Sequence, residues 1–411
     1  MTEESTSPWN ANFIKFVTAQ AFSFIGKALM RFALPLYILL MTGDAALMGG
    51  ILAVSAIPSI LISPISGVVV DRVKKNKLLA VVNITTSIGI VIFWLTKDAV
   101  GIIPATIFMM LVLLTADSLT ALTGKSSVSL VSPPDAIVRS NSILFLAISV
   151  SVIVTPVLGG FALGGLGISS VLVISLAFLL AAATLNLQTH IPNHAKGFKD
   201  KWFSTAMSDM KAGFRFTFVE KPKLGRVMVL VNMLFCVTLF SMTTITLPVL
   251  MTEYFSYSEE TLGMVKAIVG IGGIIGTLLV NHYGERASIR HMRPILMVSS
   301  LLLLPLTAVF LWSGHDVFKL IVLSIVVFFM FGFNGMLIII GRSYFGKNVP
   351  ADRIGKVTGI NGTFVLIGVA LGGYFYGWLF DYFAYAPWIV FLILAAIALM
   401  ATCFARVERV G

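Results

Sequence analysis

The sequence predicts an all-α membrane protein with twelve transmembrane helices in two pseudo-symmetric six-helix bundles. Three observations lead there: an apolar composition, positive charge confined to alternate connectors, and an internal repeat. Of 411 residues, 58% are hydrophobic and only 11% are charged, against about 25% charged in an average soluble domain. The mean hydropathy is +0.98, and there are 31 Phe against 9 Tyr. So little charge cannot cover a water-facing surface. A soluble enzyme, a disordered chain and a secreted disulfide scaffold are therefore excluded.

A spanning helix needs about 20 mostly apolar residues. That ruler gives helices near residues 12–41, 46–70, 77–96, 102–124, 137–163, 168–188, 225–251, 260–280, 293–313, 318–341, 356–380 and 386–404. Met1–Asn10 is polar and acidic, and the first apolar run is too long for a signal h-region, so no cleavable signal is expected. With the N-terminus inside, the inner connectors hold 23 Lys and Arg, and the outer ones hold only Lys97 and Lys319. By the positive-inside rule both termini are then cytoplasmic. The net charge of +11 follows from membrane orientation, and no nucleic-acid partner is expected.

The one long connector, 189–224, divides an N-terminal bundle (1–188) from a C-terminal bundle (225–411). In it Phe198, Trp202, Phe203, Met207, Met210 and Phe214 recur at helical spacing, with Lys199, Lys201, Lys211 and Arg215 between them. The pattern predicts an amphipathic helix on the cytoplasmic membrane surface.

The two bundles repeat. Asp117, Gly124-Lys125-Ser126, Pro133, Asp135 and Arg139 are matched at an offset of 217 by Asn334, Gly341-Arg342-Ser343, Pro350, Asp352 and Lys356. Gly159-Gly160 and Leu34-Pro35 return as Gly372-Gly373 and Leu247-Pro248 at an offset of 213. Duplicated halves joined by a long inner loop point to a transporter with its site between the halves.

Between helices two and three the chain reads Gly67-Val-Val-Val-Asp71-Arg72-Val73-Lys74-Lys75. With twelve helices in two repeated halves, this stretch resembles the major facilitator superfamily, whose signature there is G-x-x-x-D-R/K-x-G-R/K-R/K. The second Gly is missing, with Val73 ahead of the Lys pair. The second-half copy, Thr277 to Arg286, keeps Asn281 for the Asp and Gly284, but not the first Gly. The ALPLY end of helix one, the GVVVDR loop, Asn141 and the PADRIGKV start of helix eleven resemble the macrolide-efflux-like branch of drug exporters. The resemblance implies a conformational latch at Gly67, Asp71, Arg72, Lys74 and Lys75. Physically, Asp71 suits a helix N-terminus, and the cations suit carbonyls, acids or lipid phosphates. Helix five, Ser151-Val-Ile-Val-Thr155-Pro156-Val-Leu-Gly159-Gly160, is similar to the antiporter signature G-x-x-x-G-P-x-x-G-G with Ser and Thr at its first two Gly positions. Pro156 removes a helix hydrogen bond, and Gly159 and Gly160 allow close packing. These three form an expected hinge.

Ionisable residues at membrane depth cost several kcal/mol and normally face a cavity or a partner. Helix one carries Gln20, Phe24, Lys27 and Arg31 in one stripe at i, i+4, i+7 and i+11. Helix four carries Asp117, the one acid at membrane depth. In the resembling fold both helices line the central cavity, so Asp117 is expected to face Lys27 or Arg31. Two readings stand. In one, Lys27 and Arg31 bind an anionic or polar substrate group and Asp117 binds a proton in exchange. In the other, Arg31–Asp117 is a buried pair that only orients two helices. By position, Asn232, Phe235, Asn334 and Asn361 are further substrate-binding candidates.

The expected function is export of an amphipathic compound, anionic or zwitterionic, by alternating access in exchange for protons. A lipid flippase of the same fold, or an importer of a small organic anion, is the alternative. The expected partners are a small-molecule substrate, protons and membrane lipids, around a monomer in a bacterial cell membrane. No cofactor is expected. Cys236 and Cys403 lie in apolar runs, and all five His fall in polar connectors, so neither a metal site nor an enzyme is indicated.

Overall fold

A computed structural model describes residues 10–70, 72–192, 202–225, 228–229, 241–283, 291–311, 316–350 and 353–404. Among the described residues all regular structure is helical: α1 (Ala11–Thr42), α2 (Ala45–Val70), α3 (Lys75–Thr96), α4 (Ile102–Val131), α5 (Ile137–Leu166), α6 (Ile168–Gln188), α7 (Trp202–Arg215), α8 (Glu259–Tyr283), α9 (Met292–Leu301), α10 (Leu304–Leu311), α11 (Asp316–Asn348), α12 (Ile354–Tyr382) and α13 (Trp388–Phe404). Ten stretches are long and apolar enough to cross a membrane, counting Met292–Leu311 as one, and the apolar run Trp388–Met400 is shorter. Helix seven of the sequence reading falls largely outside the described residues. Its outer end is the α turn Leu247–Val249, flanked by π turns at Met242–Thr246 and Leu250–Tyr254.

Local chemistry sets the helix ends. Gly43 (φ 64) and Gly167 (φ 76) take the left-handed conformation that closes α1 and α5. Their N–H groups donate to Leu39 and Leu163 carbonyls at 2.8 and 3.0 Å. α4 and α11 outrun the apolar ruler by seven residues each, ending at 131 and 348 against the expected 124 and 341. In α4 the hydroxyls fold back onto the helix: Thr123 donates to Leu119 O at 2.7 Å, and Ser127 to Thr123 O at 2.6 Å. Polar residues thus continue the helix until Pro133 and Pro350 disfavour the helical conformation just before them. Helix nine is broken into α9 and α10 at Leu302–Leu303, because Pro305 cannot donate to the Leu301 carbonyl.

The chain packs as two units: Met1–Ile38 with Ser55–Ser208, and Leu39–Val54 with Asp209–Gly411. In the first, α1 is surrounded by its neighbours. Ser23 Oγ donates to Asn83 Oδ1 of α3 at 2.7 Å. Gly26 lies against Leu179 and the Ser175 carbonyl of α6, and Gly159 of α5 lies under the Phe32 ring. At one end Phe13, Phe16, Leu79, Val128, Val131, Leu144 and Ile191 form a core. The Asn12 amide there donates to His190 O at 2.8 Å and accepts from His190 N–H at 2.7 Å, tying the start of α1 to the end of α6.

In the second unit, α8 and α11 meet through main chain. A Cβ on Gly276 would overlap the Gly332 carbonyl, one on Gly272 the Phe328 carbonyl, and one on Gly335 the Gly273 carbonyl. Such stripes of small residues let helix backbones touch in membranes. The segment Leu39–Val54 belongs to this unit through α12. Asp381 accepts from the N–H groups of Ala45 (3.2 Å) and Ala46 (2.8 Å), capping α2 where its dipole favours an anion. Gly49 and Gly377 then press on the Gly373 and Ala45 carbonyls. The contact is one-sided, since a Cβ on Gly373 would lie 3.9 Å from its nearest neighbours, Gly49 O and Ile245 Cγ1. Gly49→Ala is expected to cost about 1–3 kcal/mol by overpacking, whereas Gly373→Ala leaves the melting temperature of the purified protein unchanged. Equal shifts for the two would contradict the packing described.

Candidate functional site

The first unit brings together three of the four helix-one candidates and Asp117. Lys27 lies sixteen residues beyond Ala11, about 24 Å along α1 at 1.5 Å per residue, and is 1% exposed. Its Nζ donates to Thr120 Oγ1 of α4 at 2.7 Å and lies 3.5 Å from Asp117 Oδ1. Arg31, one turn further along α1, sets Nη1 2.6 Å from Asp117 Oδ2, with Arg31 32% and Asp117 22% exposed. Its guanidinium lies over the Phe24 ring at 5.7 Å. One carboxylate thus stands between two cations, and the group as a whole keeps a surplus positive charge. Lys27 is the desolvated member; Arg31 and Asp117 are partly exposed. Gly26, directly before Lys27, lets α1 lie against α6, so that Lys27 emerges toward α4.

Gln20 lies two turns below Lys27. It is 5% exposed, its Oε1 would be 3.0 Å from a Cβ on Gly124 of α4, and its Nε2 has no hydrogen-bond partner. A buried amide donor without an acceptor normally costs about 1–3 kcal/mol. Thr120 escaped the sequence reading. The signal was present, because Thr120 is i+3 from Asp117 and shares its face of α4. Its own hydroxyl hydrogen goes to Ala116 O at 2.8 Å, leaving its oxygen to accept from Lys27.

The other candidates divide. Asn334 of α11, the repeat mate of Asp117, is 4% exposed with Oδ1 unpartnered. Asn361 is half-buried in α12. Asn232 and Phe235 lie outside the described residues, as does Asp71 of the expected latch. Gly67 is within α2, Arg72 is half-buried, Lys74 is exposed ahead of α3, and Lys75 Nζ donates to the Ser126 carbonyl of α4 at 3.1 Å. In α5 the expected hinge is an unbroken helix containing Pro156. Thr155 donates to Ser151 O at 2.7 Å, while Pro156 leaves the Val152 carbonyl without its helix donor. Gly159 and Gly160 are buried, Gly159 against Phe32 and Leu29 of α1. Among the described residues no group of three or more His, Cys, Asp or Glu could hold a metal ion.

Residues 16–365 and 229–410 match the family model described as Major Facilitator Superfamily. No curated protein matches the chain. Among solved structures it is similar to the nucleoside transporter NupG, at 15% identity and a TM-score of 0.73, covering 96% of this chain and 98% of that one. A D-xylose-proton symporter matches at 12% identity and a TM-score of 0.72, covering 95% and 96%. A bacterial homolog of the human lysosomal transporter Spinster, in an inward-facing and unoccupied conformation, matches at 14% and 0.72, covering 95% and 96%. At these identities the likeness carries the fold alone.

Proposed function

The chain belongs to the major facilitator superfamily, a family of multi-pass membrane transporters that work by alternating access, and from that premise we propose that it carries an amphipathic organic anion together with a proton. The observation that supports this is the carboxylate of Asp117 held between Lys27 and Arg31. A buried ion group of this kind stabilises a fold poorly, so a working role explains it better than a structural one.

The charge arrangement favours one sign of coupling for an anionic substrate. With Asp117 ionised, both cations already have their anion, and a substrate carboxylate must compete with it. With Asp117 protonated, Lys27 and Arg31 lose that partner, and a substrate carboxylate takes its place. Proton and anion thus strengthen each other's binding, and by linkage the effect is reciprocal. Sites that fill together move their ligands in the same direction. The orphaned Nε2 of Gln20 supplies a donor, and Phe24 supplies an apolar wall. Exchange, the expectation drawn from Asp117 and in keeping with the exporter-like helix five, requires proton and substrate to exclude one another. That holds for a zwitterion whose ammonium takes Asp117 while its carboxylate takes Arg31. The Ser151–Gly160 stretch supports this second reading and with it export. In either case the protein is a monomer in a cell membrane with both termini cytoplasmic.

One proton carried with one monoanion moves no net charge, so a pH gradient drives it, at about 1.4 kcal/mol per pH unit, and a membrane potential does not. Proteoliposomes offered a panel of dansylated carboxylates are expected to accumulate at least one when the outside is more acidic, with no response to a valinomycin-set potassium potential. Lys27→Ala and Arg31→Ala each weaken binding of that carboxylate about 10–100-fold, while binding of its neutral amide barely changes. Accumulation that follows the potential instead, or that runs against the proton flow, selects the exchanging zwitterion reading. Equal loss of both ligands in the variants removes Lys27 and Arg31 from the site.

A further inference from the structure

The connector helix α7 leaves apolar side chains exposed on one face. Met207, Lys211 and Phe214 fall at i, i+4 and i+7, on one side of the helix. Met207 is 44% and Phe214 52% exposed, and Val219 beyond them is 68% exposed. Lys211, Arg215, Lys221 and Lys223 are exposed around these apolar groups. The acids of the same stretch are Asp209 and Glu220, and Glu220 is already engaged, with Arg353 Nη1 2.6 Å from its Oε2 and Arg215 Nε 3.8 Å from its Oε1. Over 196–226 the sequence carries eight Lys and Arg against three acids.

Position narrows what can cover this face. After Arg215 the chain continues through the π turn Phe216–Glu220, and the apolar run expected to form helix seven begins near residue 225 of the sequence. Ten residues of helical backbone span on the order of 15 Å, so α7 cannot stand far from the bilayer. It is also fastened at its C-terminal end. Phe214 packs on Phe218 at 4.6 Å, and Phe218 on Phe364 of α12 at 5.5 Å. The Arg353 guanidinium lies over Phe216 at 4.9 Å, and Phe216, Leu224, Val349 and Val357 close a small core beneath. The Phe214 end of the stripe is therefore held against the first turns of α12.

We propose that α7 docks on anionic phospholipid, with Met207 and Phe214 entering the headgroup layer and Lys211 and Arg215 binding lipid phosphates. Apolar groups interleaved with cations on one helix face fit a negatively charged lipid surface. Through the Phe214–Phe218–Phe364 stack and the Glu220–Arg353 pair, docking steadies the start of α12.

Amide hydrogen exchange across residues 202–215 tests this in the full-length protein, using nanodiscs of pure phosphatidylcholine and of phosphatidylcholine with 30% phosphatidylglycerol. Exchange of α7 is expected to slow at least tenfold more in the phosphatidylglycerol discs. Lys211→Gln with Arg215→Gln removes that difference, as does raising the salt to 1 M, where surface charges are screened within about 3 Å. Phe214→Ser speeds exchange in both discs. Both cations are exposed, so the double variant folds, and unchanged exchange across α8 and α11 checks that it has. Equal protection of α7 in the two lipids overturns the proposal, and so does protection that appears only when a soluble protein is added.

Discussion

Asp117→Asn is expected to abolish proton-driven accumulation while anion exchange across the membrane continues. Asparagine keeps an acceptor for the Lys27 ammonium and so preserves the packing of α4 on α1. It cannot take up or release a proton, and it leaves Lys27 and Arg31 permanently without their carboxylate. The variant therefore resembles the protonated wild type. It binds the carboxylate tightly at every pH, exchanges labelled for unlabelled anion, and fails to concentrate it, with a drop in uphill transport of at least about 100-fold. Stability gives a second readout. Asp117→Leu strands Lys27, 1% exposed, without a counter-charge, which costs about 3–5 kcal/mol. Lys27→Met should cost far less, because Asp117 keeps Arg31 and both are partly exposed. The double variant Asp117→Leu with Lys27→Met should recover stability but not transport. If Asp117→Asn still pumps uphill in proteoliposomes, the proton travels elsewhere.

Gly276→Leu is expected to have the largest structural effect of any single substitution in the second unit. Even the first side-chain atom would fall inside the Gly332 carbonyl, and the obstacle is main chain, which cannot turn aside. Either α8 and α11 part along the seam or the protein does not fold. The cost is above about 4 kcal/mol, in the range reserved for a few severe mechanisms. It should appear as loss of the monodisperse peak on size exclusion. Gly332→Ala tests the other side of the same seam. Its Cβ would come 3.4 Å from Gly272 O, an ordinary contact, so a small shift in melting temperature is expected. Gly341→Ala, with nothing within 4 Å of its Cβ, serves as the control.

The polar group on α1 and α4 was legible because membrane-depth charge is scarce. Lys27, Arg31 and Asp117 stand out against an apolar background, and helical spacing puts the first two on one face. Their mutual distances were not legible, nor was the part of Thr120, because a threonine inside an apolar helix looks like packing until its neighbour is known. The ends of α4 and α11 were misjudged for one reason: a hydropathy ruler stops at Lys125 and Arg342, whereas the backbone stops at Pro133 and Pro350. Pro305 is plain in the sequence, yet an apolar run reads as continuous across it. The grip of α12 on Leu39–Val54 could not be read at all. Asp381 and Ala45 are more than 330 residues apart, and neither the repeat nor the periodicity couples them. The Gly372-Gly373 pair was noticed, but the surface it meets was not.

The main-chain seam of α8 and α11 has a mechanical corollary. Two rods separated by side chains can slide, since rotamers yield. Two rods whose carbonyls rest in glycine notches cannot, because any axial slip drives an oxygen over a Cα. They behave as a single plank. Whatever strain a working cycle puts on this part of the molecule must be absorbed beside the plank, where the widened turns Met242–Thr246 and Leu250–Tyr254 offer the softer joint.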